Sequence, residues 1–502
     1  MNAINDIRTR RPIMSLAMLV AGSLLVGFSM GSWLAPPAAW IGPVLIMRYA
    51  RDHKVGRGYL LVFVACILSF GIGFGATWLS AGWPLPLVVS LPFLYGFLWS
   101  LPYLADRLLG PRLGGFSSTL VYPLAAVSLE FVNTSTNPVG AWGSTGFTQY
   151  GQLPLMQLAS VTGMIGITFL MGWFASVANW TWENRAQGTR LRRGLAVFGV
   201  VLAAVFVFGV LRLELPSSGE TVRVAGITAD PSRLLAQRLE AISDPAAIRA
   251  EVQAHWDAYF DETAREARAG AQVVVWPEVS GVASSSEEAS TLIAQAQNVA
   301  LKQAVYLAIG LYVQHPDTGE PTENKFVLID PTGAIVIDHI KYGGAITEGN
   351  RLVGDGQLQT ATTPFGVVSG VICWDADYPA IIQQSGQNGT GLLMVPSSDW
   401  EEIDPLHTQM AVFRAVENGM SLVRQVEGNL SIAVDPYGRV LAQTDYFDAT
   451  DRTMVAQVPV EDVPTIYASF GRWFGWVCLV AFLVVVGYVI SRALIARRAT
   501  KI

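Results

Sequence analysis

The chain has 502 residues, 51% of them hydrophobic and only 14% charged, a composition that excludes an ordinary soluble protein and implies that much of the surface faces lipid. A net charge of -6, with no cluster of basic and aromatic side chains, excludes nucleic acid as a partner. Of the three cysteines, Cys66 and Cys478 lie in apolar runs, where cysteine is a small buried hydrophobe, and Cys373 is left without an obvious disulfide partner.

Apolar runs approaching the about 20 residues that a membrane-spanning helix needs lie near 13–34, 38–50, 58–80, 84–105, 116–133, 153–180 and 194–214, with one more at 473–495. The first follows RTRR at 8–11, and no small-residue cleavage site comes after it, so it is expected to be retained as a helix. Seven helices thus precede and one follows a stretch of globular composition. The expected layout is a membrane domain over 1–216, an inserted domain over 217–466, and a last helix with a basic tail over 467–502.

Orientation follows from the basic residues. They fall in alternate loops: Arg8, Arg10 and Arg11; Arg48, Arg51, Lys54 and Arg57; Arg107 and Arg112; Arg185, Arg190, Arg192 and Arg193; Arg497, Arg498 and Lys501. The opposite loops, 80–86 and 133–154, carry no Lys or Arg. By the positive-inside rule both termini are expected in the cytoplasm and the inserted domain on the far side, the periplasmic face of a bacterial inner membrane. The glycines of FGIGFG at 70–75 sit in an apolar run and are read as close helix packing, not as a phosphate loop.

Within the inserted domain, VRVAGIT (222–228), AQVVVWPE (271–278), VYLAIGLYV (305–313), KFVLIDPTGAIVIDHIK (325–341), GVVSGVIC (366–373) and GLLMVPS (391–397) read as buried strands. Helices are expected around 245–269, 286–303 and 405–420, and DPTG and DPYG read as hairpin turns. Strands alternating with helices predict a layered α/β domain.

Glu278 follows QVVVWP, Lys341 follows AIVIDHI and Cys373 follows GVVSGVI, so each stands where a buried strand ends, the usual place for a site in an open α/β sheet. Singly each has a plain reading: a solvated turn carboxylate, a snorkelling lysine, a packed cysteine. Together they form a complete acyl-transfer set. A thiol is a weak nucleophile until a base removes its proton, a carboxylate supplies the base, and an ammonium favours the thiolate and stabilises an oxyanion. The Trp374 N–H is a candidate second oxyanion donor. The five histidines show no metal-ligand spacing, so neither metal nor other cofactor is expected.

VVVWPE, a lysine ending the strand after DPTG, and Cys-aromatic-acid ending a strand resemble the Glu-Lys-Cys triad of the nitrilase (carbon-nitrogen hydrolase) superfamily. SSDW at 397–400, His407, MAVFRAVENG at 410–419, LVRQVEGNLSIAVDPYGRVLAQ at 422–443, IYASFGRWFGW at 466–476 and QLASVTGMIGITFL at 157–170, with seven helices before the domain and one after, are similar to its membrane branch, the bacterial apolipoprotein N-acyltransferases. The resemblance implies a multi-pass α-helical membrane domain of about eight helices with an inserted nitrilase-like αββα sandwich. It also implies a ping-pong reaction in which Cys373 takes an acyl chain from phospholipid as a thioester and passes it to the amine of a lipoprotein or other acceptor. Glu278 is then the general base, Lys341 the oxyanion stabiliser, and Glu348 a second glutamate holding lysine and thiol. The text departs from the family after the lysine (KYGGAITEGN) and after the cysteine, where Trp374-Asp375 stand and CWDADYP is equally similar to soluble amidases. The competing reading is therefore a membrane-anchored amidase or nitrilase.

Trp276, Trp374 and Trp400 accompany these motifs, either shaping a substrate pocket or packing the core. Arg414 either binds a lipid phosphate or acceptor carboxylate, or pairs with Glu417 on a helix surface and supports the Cys373 loop. His407 is grouped with the substrate-binding residues and is not needed as a base. Segments 281–290 and 342–356 are candidate lids.

Overall fold

The computed structural model describes all residues except 1, 32, 81–82, 215–219, 317, 345–347 and 500–502, and for 2–12 and 499 the backbone alone. The side chains of Arg8, Arg10, Arg11 and Lys501, and parts of the 80–86 loop and of the 342–356 segment, lie outside the described residues. The chain divides into two compact units. One comprises Met1–Ser135, Gly143–Leu211 and Arg472–Ile502, the other Thr136–Trp142 and Arg212–Gly471.

The first unit is helical. Among the described residues, Val55–Ser80, Leu85–Leu113, Gly188–Leu213 and Trp473–Arg498 are long and apolar enough to cross a membrane. A fifth span is possible only if Leu153–Thr162 and Ile165–Glu183, bent by 114°, count as one. The bend falls at Gly163, whose φ of +71° suits glycine alone. The expected count of eight is therefore not reached by length and composition. Pro36–Asp52 and Val121–Thr136 have 17 and 16 residues, the apolar part of the first helix is only Ile13–Ser29, and the 116–133 run spends its start in a 3-10 turn, Phe116–Leu120. Apolar side chains such as Leu68, Phe93, Val200 and Val484 point outward, an outer surface suited to lipid. Gly73, within the glycine-rich run, has no room for a side chain because a Cβ would lie 2.6 Å from Met30 Cγ. That is the close packing expected of it.

The second unit has fifteen strands in chain order: β1 (Thr221–Gly226), β2 (Val273–Val275), β3 (Gly281–Ala283), β4 (Tyr306–Val313), β5 (Glu323–Ile329), β6 (Ile335–Ile340), β7 (Thr360–Thr363), β8 (Gly366–Gly370), β9 (Leu392–Met394), β10 (Ser397–Ser398), β11 (Ser421–Arg424), β12 (Val426–Glu427), β13 (Leu430–Val434), β14 (Val440–Asp445) and β15 (Met454–Pro459). One sheet runs β15-β1-β2-β4-β5-β6 with β3 beside β4; the other runs β14-β13-β11-β9-β8-β7; β10 and β12 pair separately. The expected DPTG and DPYG turns join β5 to β6 and β13 to β14, both antiparallel pairs.

Side chains alternate across each strand. Val273, Val275, Ala308, Phe326 and Leu328 face Val368, Leu392, Met394 and Val423 of the other sheet. Their neighbours Val274, Leu307, Ile309, Val327 and Ile329 pack under Trp256, Tyr259, Leu292 and Ala296, which belong to the helices Pro245–Arg268 and Ser286–Gln303. Asp244 and Ser285 cap these helices by accepting from Ala246 N and Glu288 N. The helix Leu406–Asn418 covers β11 and β13 of the second sheet, with Pro379–Gln387 packed beside it. The layers are thus helix, sheet, sheet, helix.

Candidate active site

Glu278 follows β2, Lys341 follows β6, and Cys373 follows β8 at the start of a 3-10 turn, Cys373–Asp377. All three are buried, at 3%, 1% and 3% exposure. β2 runs parallel to β4, and β8 parallel to β9, so Glu278 and Cys373 both leave the carboxyl ends of parallel strands, one from each sheet. The main chain ties the ends together. Ser398 N, from the second sheet's side, donates to Glu278 Oε2 at 2.9 Å, and Cys373 N donates to Pro396 O at 2.9 Å. Gly310 lets β4 pass close to the glutamate, for a Cβ there would lie 2.5 Å from Glu278 Cα.

Lys341 Nζ donates to Glu278 Oε1 at 2.7 Å and also to Glu348 Oε1. Asn324 Nδ2 donates to Glu278 Oε1 at 2.8 Å. Arg351 pairs with Glu348 Oε2 at 2.7 Å and donates to Gly343 O at 2.7 Å, fixing the chain beyond the lysine. Burial works to neutralise Lys341, but the carboxylates of Glu278 and Glu348 outweigh it and hold the ammonium above its ordinary pKa. Burial pushes the Cys373 thiol well up; Glu278 and Asp399 add to this, and Lys341 and Arg424 oppose it. The resting pair is therefore ammonium and thiol. Burial, with Glu278 behind it, also raises Glu348 against the pull of Lys341. Cys373 itself has φ +45°, a left-handed conformation that costs a non-glycine residue about 1–3 kcal/mol and gathers at functional sites.

Asp375 is a clamp. Its Oδ1 accepts from Tyr342 N at 2.9 Å and Gly343 N at 2.7 Å, and its Oδ2 from Ile372 N at 3.1 Å, with His339 Nε2 at 3.0 Å. It thereby joins the lysine's segment to the cysteine's turn. Trp374 packs 5.6 Å from Trp142, 6.0 Å from Trp400 and 5.7 Å from His407, forming an aromatic wall beside the cysteine.

The structure turns one other expected site residue away from this centre and pairs a second within its own helix. Trp276 is fully buried on the helix side of its sheet, against Tyr259 and Phe260, with Nε1 donating to Thr263 Oγ1 at 2.9 Å; alternation along β2 turns it away from the face of Val275. Arg414 does pair with Glu417, at 2.8 Å, but both are buried at 1% exposure and so are not a helix-surface pair.

A second group of residues lies beside the sulfur, and of its members only His407 was given a role from the sequence. Cys373 Sγ lies 3.6 Å from Asp399 Oδ1. Asp399 is bonded to His407 Nδ1 at 2.9 Å, Arg424 Nη1 at 3.0 Å and Asn429 Nδ2 at 3.0 Å, and His407 Nε2 to Asp377 Oδ2 at 2.7 Å. Cys373, Asp399 and His407 bring ligand atoms within 4.8 Å of one another, a spacing open to a metal ion. The donors do not fit one: both imidazole nitrogens already face carboxylates, and the Arg424 guanidinium lies on both oxygens of Asp399. SSDW carried the only sequence signal for Asp399. Trp142, from a loop marked only by its lack of Lys and Arg, had none.

Residues 228–467 match the carbon-nitrogen hydrolase family model, and residues 21–177 match that of the apolipoprotein N-acyltransferase N-terminal domain. The chain is 25% identical over 518 residues to the apolipoprotein N-acyltransferase of Geobacter metallireducens, with 95% of each covered. It is 26% identical over 537 residues to that of Gloeobacter violaceus, covering 98% of this chain and 97% of the relative. Among solved structures, an amidase from Nesterenkonia sp. aligns with 52% of this chain and 98% of its own, at 19% identity and a TM-score of 0.41.

Proposed function

We propose that this chain, which by its two matched regions and its full-length relatives belongs with the apolipoprotein N-acyltransferases, moves a fatty acyl chain from phospholipid through Cys373 to the N-terminal amine of a diacylglyceryl-cysteine lipoprotein. The observation that carries the chemistry is the buried Lys341–Glu278 pair, whose charges both act on the Cys373 sulfur. The match of residues 21–177 to the N-terminal domain model, beyond the hydrolase region, favours transfer over hydrolysis of a small amide.

In the first half-reaction Glu278 takes the thiol proton as Sγ attacks the ester carbonyl. The Lys341 ammonium and the Trp374 N–H stabilise the oxyanion. The C–O bond breaks, the proton passes to the departing lysophospholipid oxygen, and a thioester remains. In the second, the lipoprotein amine attacks the thioester carbonyl, the C–N bond of the amide forms as the C–S bond breaks, and the amine's proton passes by way of Glu278 to the departing sulfur. Glu348 and Asp375 hold the lysine and the cysteine turn in register, while Trp374, Trp400 and His407 line the approach. Low exposure of the sulfur limits attack by water on the thioester. We further infer that the basic loops lie in the cytoplasm, which sets the catalytic unit at the outer face of the inner membrane.

The test is direct. Purified protein in lipid vesicles should gain one acyl mass on Cys373, lose it to a diacylglyceryl peptide, and do neither as Cys373→Ala. An enzyme that turns over small amides without an acyl adduct would overturn the reading.

A further inference from the structure

The sulfur's hydrogen-bond acceptor in the structure is not the expected base. Cys373 Sγ donates to Asp399 Oδ1 at 3.6 Å, while the oxygens of Glu278 are engaged by Lys341, Asn324 and Ser398 N. Three side chains hold Asp399: His407 at 2.9 Å, Arg424 at 3.0 and 3.3 Å, and Asn429 at 3.0 Å. His407 is steadied in turn by Asp377 at 2.7 Å and by the rings of Trp142 and Trp374. A carboxylate so well supplied with donors is a poor base. It can accept a hydrogen bond from a thiol without taking the proton.

We propose that Asp399 is a positioning residue that parks the Cys373 thiol between turnovers, keeping the S–H directed away from Glu278 until an acyl donor binds. On attack the S–H···O bond to Asp399 is exchanged for one to Glu278, which takes the proton as the carbon–sulfur bond forms; no other atom changes hands. This rests on Cys373 being the nucleophile. The charged groups acting on the sulfur are Glu278 and Lys341 from one sheet's strand ends and Asp399 and Arg424 from the other's. Asp375 and Asp377, on the cysteine's own turn, are spent on main-chain N–H groups and His339, and on His407.

Alkylation of Cys373 by iodoacetamide, followed by peptide mass across pH in the full-length protein, tests this without any lipid chemistry. Asp399→Asn removes a negative charge beside the sulfur, and the alkylation profile should move to lower pH by about one unit or more. His407→Gln strips Asp399 of a cationic partner, and the profile should move to higher pH. A merely structural network would loosen in both variants and shift both profiles the same way, which would overturn the proposal, as would an unmoved profile in Asp399→Asn. Should that variant fail to fold, the S–H infrared band decides: it should be unchanged in Glu278→Gln, and a shift there would make Glu278 the partner and sink the idea. Opposite shifts in a protein that never forms an acyl adduct would keep this inference and reject the acyltransferase reading.

Discussion

Two buried carboxylates flank one sulfur, and their surroundings differ. Glu278 faces a flexible ammonium that it shares with Glu348, plus one amide and one main-chain N–H. Asp399 faces a planar guanidinium, an imidazole and an amide, all buried. Burial would raise Asp399, yet Arg424 and His407 hold its carboxyl well below the usual range. A base must be able to accept a proton and release it; a holder must only accept a hydrogen bond. The difference in donor type separates the two tasks between groups of the same chemistry.

Changes on the Glu278 side should therefore be the most costly. On the proposed roles, Lys341→Met removes the oxyanion's cation, a loss of about 10²–10³-fold in turnover. It also strands Glu278 as a buried charge, worth about 3–5 kcal/mol of stability when one partner of a buried pair is lost. Acyl-transfer rate and thermal midpoint should fall together. Glu278→Gln keeps the shape and removes the base, so the acylation rate should fall about 10²–10⁴-fold with a smaller change in midpoint. If the two variants lose activity equally and Glu278→Gln is the less stable, the division of roles drawn here is wrong. Gly310→Ala touches no reacting atom, yet its methyl would displace Glu278. A misplacement of about 1 Å can cost about 10²-fold, and an unaffected rate would show that the glutamate does not need this close approach.

The triad was legible because each member ends a strand, a pattern local in the text, and the strands and helices of the α/β unit follow their hydrophobic periods. The Asp399 network was not, because Asp377, Asp399, His407 and Arg424 lie in a 3-10 turn, a loop, a helix and a strand and meet only in the folded unit. Asn324 was hidden for the same reason: it sits within β5, and only the β5–β6 pairing puts it beside the lysine's strand end. Of the two readings of Trp276, parity selects packing in the core over a place in the pocket, since one step along a strand changes the face. Hydropathy does not register the bend at Gly163 or the shortness of Pro36–Asp52 and Val121–Thr136, so four or five of the expected eight helices meet the length and composition of a span among the described residues.

The smallest expected effect is on pH. For His407, burial lowers the pKa, but Asp399 and Asp377 outweigh it and the net shift is upward; for His339, burial is likewise outweighed, by Asp375. A histidine whose folded pKa exceeds the unfolded value, about 6.5, contributes its full stabilisation below that value and loses it as pH rises through the folded one. The thermal midpoint of the detergent-solubilised protein should accordingly decline from neutral pH upward. His407→Gln should flatten that decline more than His339→Gln, because His407 faces two carboxylates and His339 one. A decline equally steep in both variants and the parent would place its cause outside the two clamps. It would also mean that His407 is neutral at rest, so that Arg424 is the one cation on Asp399 while His407 and Asn429 hold it by uncharged donors.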